Sequence, residues 1–262
     1  MSRDLLTSED DELQLYRHPD GILEIRMNRP EARNALNQNL RDKLFAAYRK
    51  FESEDEWNVA LLTAAGKVFC AGGDLKEMAE NSLTIPGRDF APWFGINIDV
   101  TKPLIAAVQG AALAGGFAMM LNADLVVASE SARIGITEAK VGRGAPWSIP
   151  MAPQVPQRVM AEMLMTAEPI SGARAYDVGL VNRVVPDDDL FDTALQLATT
   201  IARNAPLSVR AGKATVRLAH EYNREEAIER AFPLWDHVYL SDDAQEGPAS
   251  FRAKRRPVWQ GR

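Results

Sequence analysis

Cysteine and histidine are scarce in this chain of 262 residues, which has one cysteine, Cys70, and three histidines, His18, His220 and His237. A lone thiol forbids an intrachain disulfide and any multi-cysteine zinc site, and three scattered imidazoles argue against a histidine-rich metal centre. No metal is expected, and a reducing cytoplasmic setting fits best. Excess positive charge is also missing. With 30 Lys and Arg against 36 Asp and Glu the net charge is −6, so the surface as a whole is not built to track nucleic acid. Long apolar runs are absent too. Gln109, Asn122 and Asp124 break the stretch Pro103 to Ala128, leaving the run without polar side chains, Gly110 to Leu121, far short of the ~20 residues that span a bilayer. No membrane partner is expected. Met1 to Glu12 is acidic and lacks a basic start followed by an apolar core, so neither a secretory signal nor a transit peptide is expected.

Several catalytic signatures are lacking as well. There is no Gly-x-Ser-x-Gly elbow, Walker loop, Gly-x-Gly-x-x-Gly or His-Glu-x-x-His, which removes the main support for serine hydrolase, nucleotide hydrolase, simple dinucleotide enzyme and zinc protease. Cys70 has no histidine near it in sequence and reads as a buried small hydrophobe. What is present is ordinary globular material, 46% hydrophobic and 25% charged, enough for one large domain or one domain with an appendage.

The elements alternate. Leu13–Arg17 and Ile22–Asn28 read as strands joined by the turn His18-Pro19-Asp20-Gly21. Asn37 caps an expected helix whose Leu40, Leu44, Ala47, Tyr48 and Phe51 share one face. Val59–Thr63 reads as a buried strand, Ala64–Gly73 as a loop and Asp74 as the start of a short helix. The unit then repeats as strand Leu104–Val108, loop Gly110–Gly115, helix Gly116–Asn122 and strand Leu125–Ala128. This alternation gives an α/β class. Beyond Pro150 helices dominate, at Pro156–Thr166, Gly172–Val178, Asp188–Asn204, Pro206–His220 and Arg224–Leu240. We expect an α/β core over 1–190 and a C-terminal helical region over 191–262.

Four segments can carry chemistry. Ala71-Gly72-Gly73-Asp74 and Gly110-Ala111-Ala112-Leu113-Ala114-Gly115-Gly116 each bring small residues to a helix start, where a ligand can reach main-chain N–H groups. Two such junctions can converge on one oxygen as an oxyanion hole; tight turns and close packing explain the same residues equally well. Glu138, set among apolar and small residues, can move protons if buried, and it also fits as an exposed acid in a first helical turn. Phe251 to Trp259 is a basic cluster on an acidic chain, suited to a phosphate or simply to solvent. Trp147 and the pair Met119 and Met120 can line a pocket or fill core.

Asn28-Arg29-Pro30-Glu31-Ala32-Arg33-Asn34-Ala35-Leu36, Ala71 to Met78, Gly110 to Phe117 and Val178-Gly179-Leu180-Val181-Asn182 occur in an order and spacing that resembles the crotonase superfamily of enoyl-CoA hydratases and isomerases. The resemblance covers about Leu13 to Gly261. It implies a crotonase-like spiral of ββα units with a C-terminal helical region that mediates trimers, often paired into hexamers. An acyl-CoA thioester is the implied substrate, with CoA part of the substrate and no separate cofactor. By position, Gly73 and Gly115 match the donors to the thioester oxygen and Glu138 matches a catalytic glutamate. Ala32, Arg33, Ala71, Asp74, Leu75, Lys76, Ala118 and Trp147 match or adjoin substrate-contacting positions, and Phe251 and Lys254 match tail positions that reach a neighbouring subunit's CoA.

The departures narrow the chemistry. Hydratases of the superfamily place a second glutamate where this chain has Ala118, and Arg143-Gly144-Ala145-Pro146-Trp147-Ser148 replaces the glycine-rich stretch that follows the first glutamate; Pro146 has no N–H to offer a water. A single carboxylate still suffices for a proton shuttle along a dienolate. The expected activity is therefore enolate stabilisation with one glutamate as acid and base. Hydration, 3-enoyl to 2-enoyl isomerisation, decarboxylation and carbon–carbon cleavage stay open, as does a catalytically silent binder of acyl-CoA or RNA.

Overall fold

The computed structural model describes residues 3–82 and 85–262; Met1 and Ser2 of the acidic N-terminal segment lie outside the described residues. Strands β1 (Asp4–Leu5), β2 (Leu13–His18) and β3 (Ile22–Met27) pair antiparallel. The β2–β3 turn is the expected one, with Asp20 and Gly21 at φ 62° and 71°. Asn37 accepts a hydrogen bond from the Leu40 N–H (2.8 Å) and opens α1 (Gln38–Ser53), whose Leu40, Leu44, Ala47, Tyr48 and Phe51 are all buried. The chain continues through β4 (Val59–Ala64), α2 (Leu75–Glu80), β5 (Leu104–Val108), β6 (Ala111–Leu113), α3 (Gly115–Leu121), β7 (Leu125–Ser129) and β8 (Arg133–Gly135). It then passes through α4 (Gln157–Thr166), β9 (Ile170–Ser171), α5 (Gly172–Asp177) and β10 (Arg183–Val185). Four helices finish it: α6 (Leu190–Ala202), α7 (Pro206–Glu221), α8 (Arg224–Tyr239) and α9 (Asp242–Arg252).

The large sheet runs β1-β2-β3-β4-β5-β7-β10, and every pairing from β3 onward is parallel. Its central strands are covered on both faces, which is why they read as unbroken apolar runs. Alternate side chains divide between two cores: Ala60 and Leu62 face the main core that includes α1 and α3, while Val59 and Leu61 meet Leu190, Ala194, Leu195 and Ala198 of α6. Beyond α6, the Lys213 ammonium of α7 pairs with Asp124 (2.9 Å) and donates to the Lys102 carbonyl (2.9 Å), tying the helical region to the β5–β7 edge. Among the described residues, no helix is long and apolar enough to cross a membrane.

Besides the two-residue strands β1 and β9, which the sequence reading did not include, two elements differ from it. Ala111–Leu113, read as loop, is a strand, because β6 pairs in parallel with β8 in a second small sheet, β6-β8-β9. Its Ala-Ala-Leu sequence has little strand propensity, and tertiary pairing supplies what propensity lacks. Helix α9, whose Gly247 and Pro248 disfavour a helix, forms behind Ser241, which accepts a hydrogen bond from the Ala244 N–H (3.2 Å). The first part of the basic cluster is thus the end of a helix.

Candidate active site

A cavity of about 1170 Å³ opens between the two small-residue junctions, the segment 85–98 and the region around Glu138. The junctions are sewn together by main-chain bonds. Cys70 N–H donates to the Ala111 carbonyl (2.9 Å), Leu113 N–H to the Cys70 carbonyl (3.0 Å), Leu36 N–H to the Gly72 carbonyl (2.8 Å) and Ala114 N–H to the Gly135 carbonyl (2.9 Å). The glycines permit the approach. A β-carbon on Gly116 would sit 2.3 Å from the Cys70 carbonyl oxygen, so α3 lies directly on the first loop. Burial pushes the Cys70 thiol up to about 12, and it packs as the apolar filler its sequence suggested.

This stitching leaves two amides unspent. Among the described residues, neither the Gly73 nor the Gly115 N–H donates a hydrogen bond, although those of Gly72, Asp74 and Ala114 do. The two lie close, since a β-carbon placed on Gly115 would be 3.5 Å from the Gly73 nitrogen. Ala114, the residue before Gly115, is held at φ 50° and ψ −124°, a conformation that costs an L-residue about 1–3 kcal/mol. That turn leads the chain into α3, with Gly115 lining the cavity. Ala114→Gly is expected to raise stability by about 1 kcal/mol in urea unfolding while lowering kcat, because the freed backbone no longer fixes the Gly115 amide.

Glu138 begins a short 3-10 turn, Glu138–Val141, and is 8% exposed. Its Oε1 accepts a hydrogen bond from the Trp147 indole (2.9 Å), and its Oε2 is buried with no hydrogen-bond partner among the described residues. Burial raises its carboxyl above the usual glutamate range, with its own backbone N–H and the Trp147 indole opposing that rise in part. It is the only carboxylate among the described residues lining the cavity. Two unspent N–H groups beside one buried acid can hold an oxyanion and exchange a proton with its neighbour atoms.

The structure gathers Ala71, Gly73, Leu75, Gly115, Ala118, Glu138 and Trp147 around this cavity, together with Met119. Met120 faces the core instead. Arg33 and Lys76 are exposed and do not line it, but each adjoins it: the Arg33 carbonyl accepts from the Ala71 N–H (3.0 Å), and Lys76 follows Leu75. Ala32 sits in the short turn before Arg33. Asp74 caps α2 by accepting from the Lys76 and Glu77 N–H groups and pairs with Arg29 (3.4 Å). Phe251 and Lys254, both exposed at the end of α9, are not brought to the cavity within one chain. Sequence reasoning missed the aromatic wall of Phe90, Trp93 and Phe94. Asn122 pins it, accepting from the Phe94 N–H (3.1 Å) and donating to the Pro92 carbonyl (2.9 Å). Three aromatics in a non-periodic, proline-bounded segment were the available signal.

The model of the family "Enoyl-CoA hydratase/isomerase" matches residues 17–262. The chain belongs to this family. Among curated relatives, enoyl-CoA hydratase EchA19 of Mycobacterium tuberculosis is 37% identical over 268 residues, covering 93% of this chain and 97% of that protein. A carnitinyl-CoA dehydratase of Salmonella paratyphi A is 39% identical over 254 residues, covering 92% and 95%. Among solved structures, enoyl-CoA hydratase EchA1 of Mycobacterium marinum superposes with a TM-score of 0.87 at 33% identity, covering 96% of this chain and 99% of its own. Within this enoyl-CoA hydratase/isomerase fold, Ala118 presents only a methyl group on the cavity wall, and Pro146 opens a second 3-10 turn, Pro146–Met151, that carries Trp147.

Proposed function

We propose that this family member stabilises the enolate of an enoyl-CoA thioester at the N–H groups of Gly73 and Gly115 while Glu138, acting alone, removes and returns the proton. One observation carries the reading: the cavity's sole described carboxylate, with one oxygen unpartnered, shares that cavity with two unspent amides. The thioester oxygen accepts from both amides and gains negative charge as the enolate forms, whether by loss of a C2 proton or by addition of water oxygen at C3. An oxyanion donor placed this way is worth ~3–4 kcal/mol in the transition state. In isomerisation Glu138 takes the C2 proton of a 3-enoyl thioester and delivers it to C4, moving the double bond into conjugation. In hydration the same carboxylate takes a proton from water as its oxygen bonds to C3, then gives a proton to C2. The similarity to an enoyl-CoA hydratase and a carnitinyl-CoA dehydratase favours this second outcome.

A panel of 2-enoyl- and 3-enoyl-CoA thioesters followed at the conjugated-thioester absorbance separates these outcomes. Absorbance falls on hydration and rises on isomerisation. No change with any thioester, beside salt-sensitive RNA binding, would replace the enzyme by a silent binder.

Arg33 and Lys76 meet the CoA phosphates at the rim, with Ala32, Ala71 and Leu75 along the pantetheine. Asp74 holds the α2 start beneath them. The assembly is a homotrimer or a dimer of trimers in which Phe251 and Lys254 reach the next subunit's CoA. Support comes from Val216, Ile228, Phe232, Leu240 and Phe251, large apolar side chains that a single chain leaves exposed in and beside α7, α8 and α9. Sedimentation at three or six chain masses is the expected result.

A further inference from the structure

We propose that Trp147 is a positioning residue that fixes the Glu138 carboxyl through Oε1 and thereby assigns the transferred proton to Oε2. The inference rests on the proton-moving role of Glu138 given above, and three observations carry it. The indole Nε1 is 2.9 Å from Oε1. Oε2 is buried and has no other partner among the described residues. The indole ring packs edge-on against Phe117 of α3, with centroids 5.7 Å apart and planes at 77°.

The chemistry of the donor decides which oxygen works. Indole offers one N–H and no acceptor. When Glu138 is ionised, that N–H donates to Oε1. When Glu138 carries the proton, its carbonyl oxygen is a stronger acceptor than its hydroxyl oxygen, so the indole N–H favours Oε1 as the carbonyl oxygen and the proton sits on Oε2. One hydrogen bond therefore persists in both states and the carboxyl need not rotate between accepting and returning a proton. The proton leaves the substrate carbon, bonds to Oε2 and departs from Oε2 again, with no further reactant.

Packing sets the position as well. Helix α3 carries the Gly115 amide at its start and Phe117 two residues on. The contact from Phe117 to Trp147 and the bond from Trp147 to Glu138 thus connect an oxyanion donor to the base through two side chains. Pro146, which removes an N–H from this turn, suits a site where an indole rather than a main-chain amide addresses the carboxyl. The charged groups lining the same cavity are Arg88, Lys140 and Arg143; Lys140 pairs with Glu168 at 2.8 Å.

The test follows the Glu138 carboxyl directly. Protein labelled with carbon-13 at the glutamate side-chain carboxyl is titrated by infrared and NMR, and the Glu138 signal is assigned by its loss in Glu138→Gln. Trp147→Phe keeps a ring against Phe117 and deletes the donor. The Glu138 midpoint is expected to move up by about one pH unit, the size of one hydrogen bond to a charged acceptor. On the best thioester, kcat is expected to fall about tenfold with KM within about twofold. Biosynthetic replacement of tryptophan by fluorotryptophan, a stronger N–H donor of nearly the same shape, should move the midpoint down and needs no refolding of an altered core. A Glu138 midpoint unchanged in both proteins overturns the proposal. A midpoint that moves as expected in a protein that turns over no acyl-CoA leaves the positioning intact and removes the enzymatic reading instead.

Discussion

Glu138→Gln is expected to lower kcat about 10³-fold on whichever enoyl-CoA thioester the protein turns over, with KM within a few-fold of the original. Glutamine keeps the side-chain length and still accepts from the Trp147 indole through its amide oxygen, but it cannot take a proton, and general acid–base groups contribute about 10²–10⁴. No second carboxylate among the described residues lines the cavity to take over. The same variant should unfold at higher urea than the parent at neutral pH. Burial holds the Glu138 carboxyl above its unfolded value. Its contribution to folding is therefore fully present below the unfolded value and is lost as the pH rises through the folded one. The stability gap between variant and parent should close as the pH falls through the ordinary glutamate range, and the acid limb of kcat/KM should lie above that range. Activity surviving in Glu138→Gln would remove this residue from the mechanism.

Gly116→Ala is the second large effect. Its β-carbon would meet the Cys70 carbonyl oxygen at 2.3 Å, the Cys70 β-carbon at 2.7 Å and the Cys70 carbonyl carbon at 2.8 Å. Two of these are main-chain atoms of the first loop, so the clash is relieved only by moving α3 away from it. That separates the Gly115 amide from the Gly73 amide. Overpacking of this kind costs about 1–3 kcal/mol of stability, and displacing an oxyanion donor costs about 10²–10³ in kcat. Gly73→Ala is the control. Its β-carbon would meet the end of the Met78 side chain at 2.2 Å, and a flexible thioether can swing aside. That variant should keep most of its stability, and urea unfolding beside steady-state kinetics on both proteins gives the comparison. Equal losses in the two would mean that approach of the junctions is not what the glycines provide.

The fold was legible wherever periodicity and burial coincide. The cap at Asn37, the apolar face of α1 and the uninterrupted strands β4, β5 and β7 each follow from side-chain pattern, because the residues that define the pattern are those that fill the core. The failures share a cause. Strand β6 and helix α9 contain Ala, Gly and Pro where a strand or helix former would be read, and each exists through partners distant in sequence: β8 for one, the Ser241 cap and the C-terminal segment for the other. Asp243 of α9 accepts the main-chain N–H groups of Gln260 (2.6 Å) and Gly261 (3.0 Å), a tie that no local pattern discloses.

The site was legible in part for the same reason. Small residues at two junctions marked where backbone approaches closely, and Gly72, Gly110 and Gly116 meet main-chain atoms there. Which amides stay unspent depends on the register between the junctions, so Gly73 and Gly115 could be placed by resemblance but not by spacing. Glu138 illustrates the limit best: its acidic position in a first turn fits solvent as well as a cavity, and its burial beside Trp147 is a tertiary feature that no local pattern discloses. The aromatic wall of the segment 85–98 left even less trace, since irregular backbone has no period.

The account turns on whether the Gly73 and Gly115 amides share one oxygen of the substrate. A crystal structure with a bound, non-reacting acyl-CoA thioester tests this most directly. The expected result is a thioester oxygen about 2.7–3.1 Å from both nitrogens, with the acyl C2 against Glu138 Oε2. A thioester oxygen bonded elsewhere, with either nitrogen beyond hydrogen-bond reach, would contradict it.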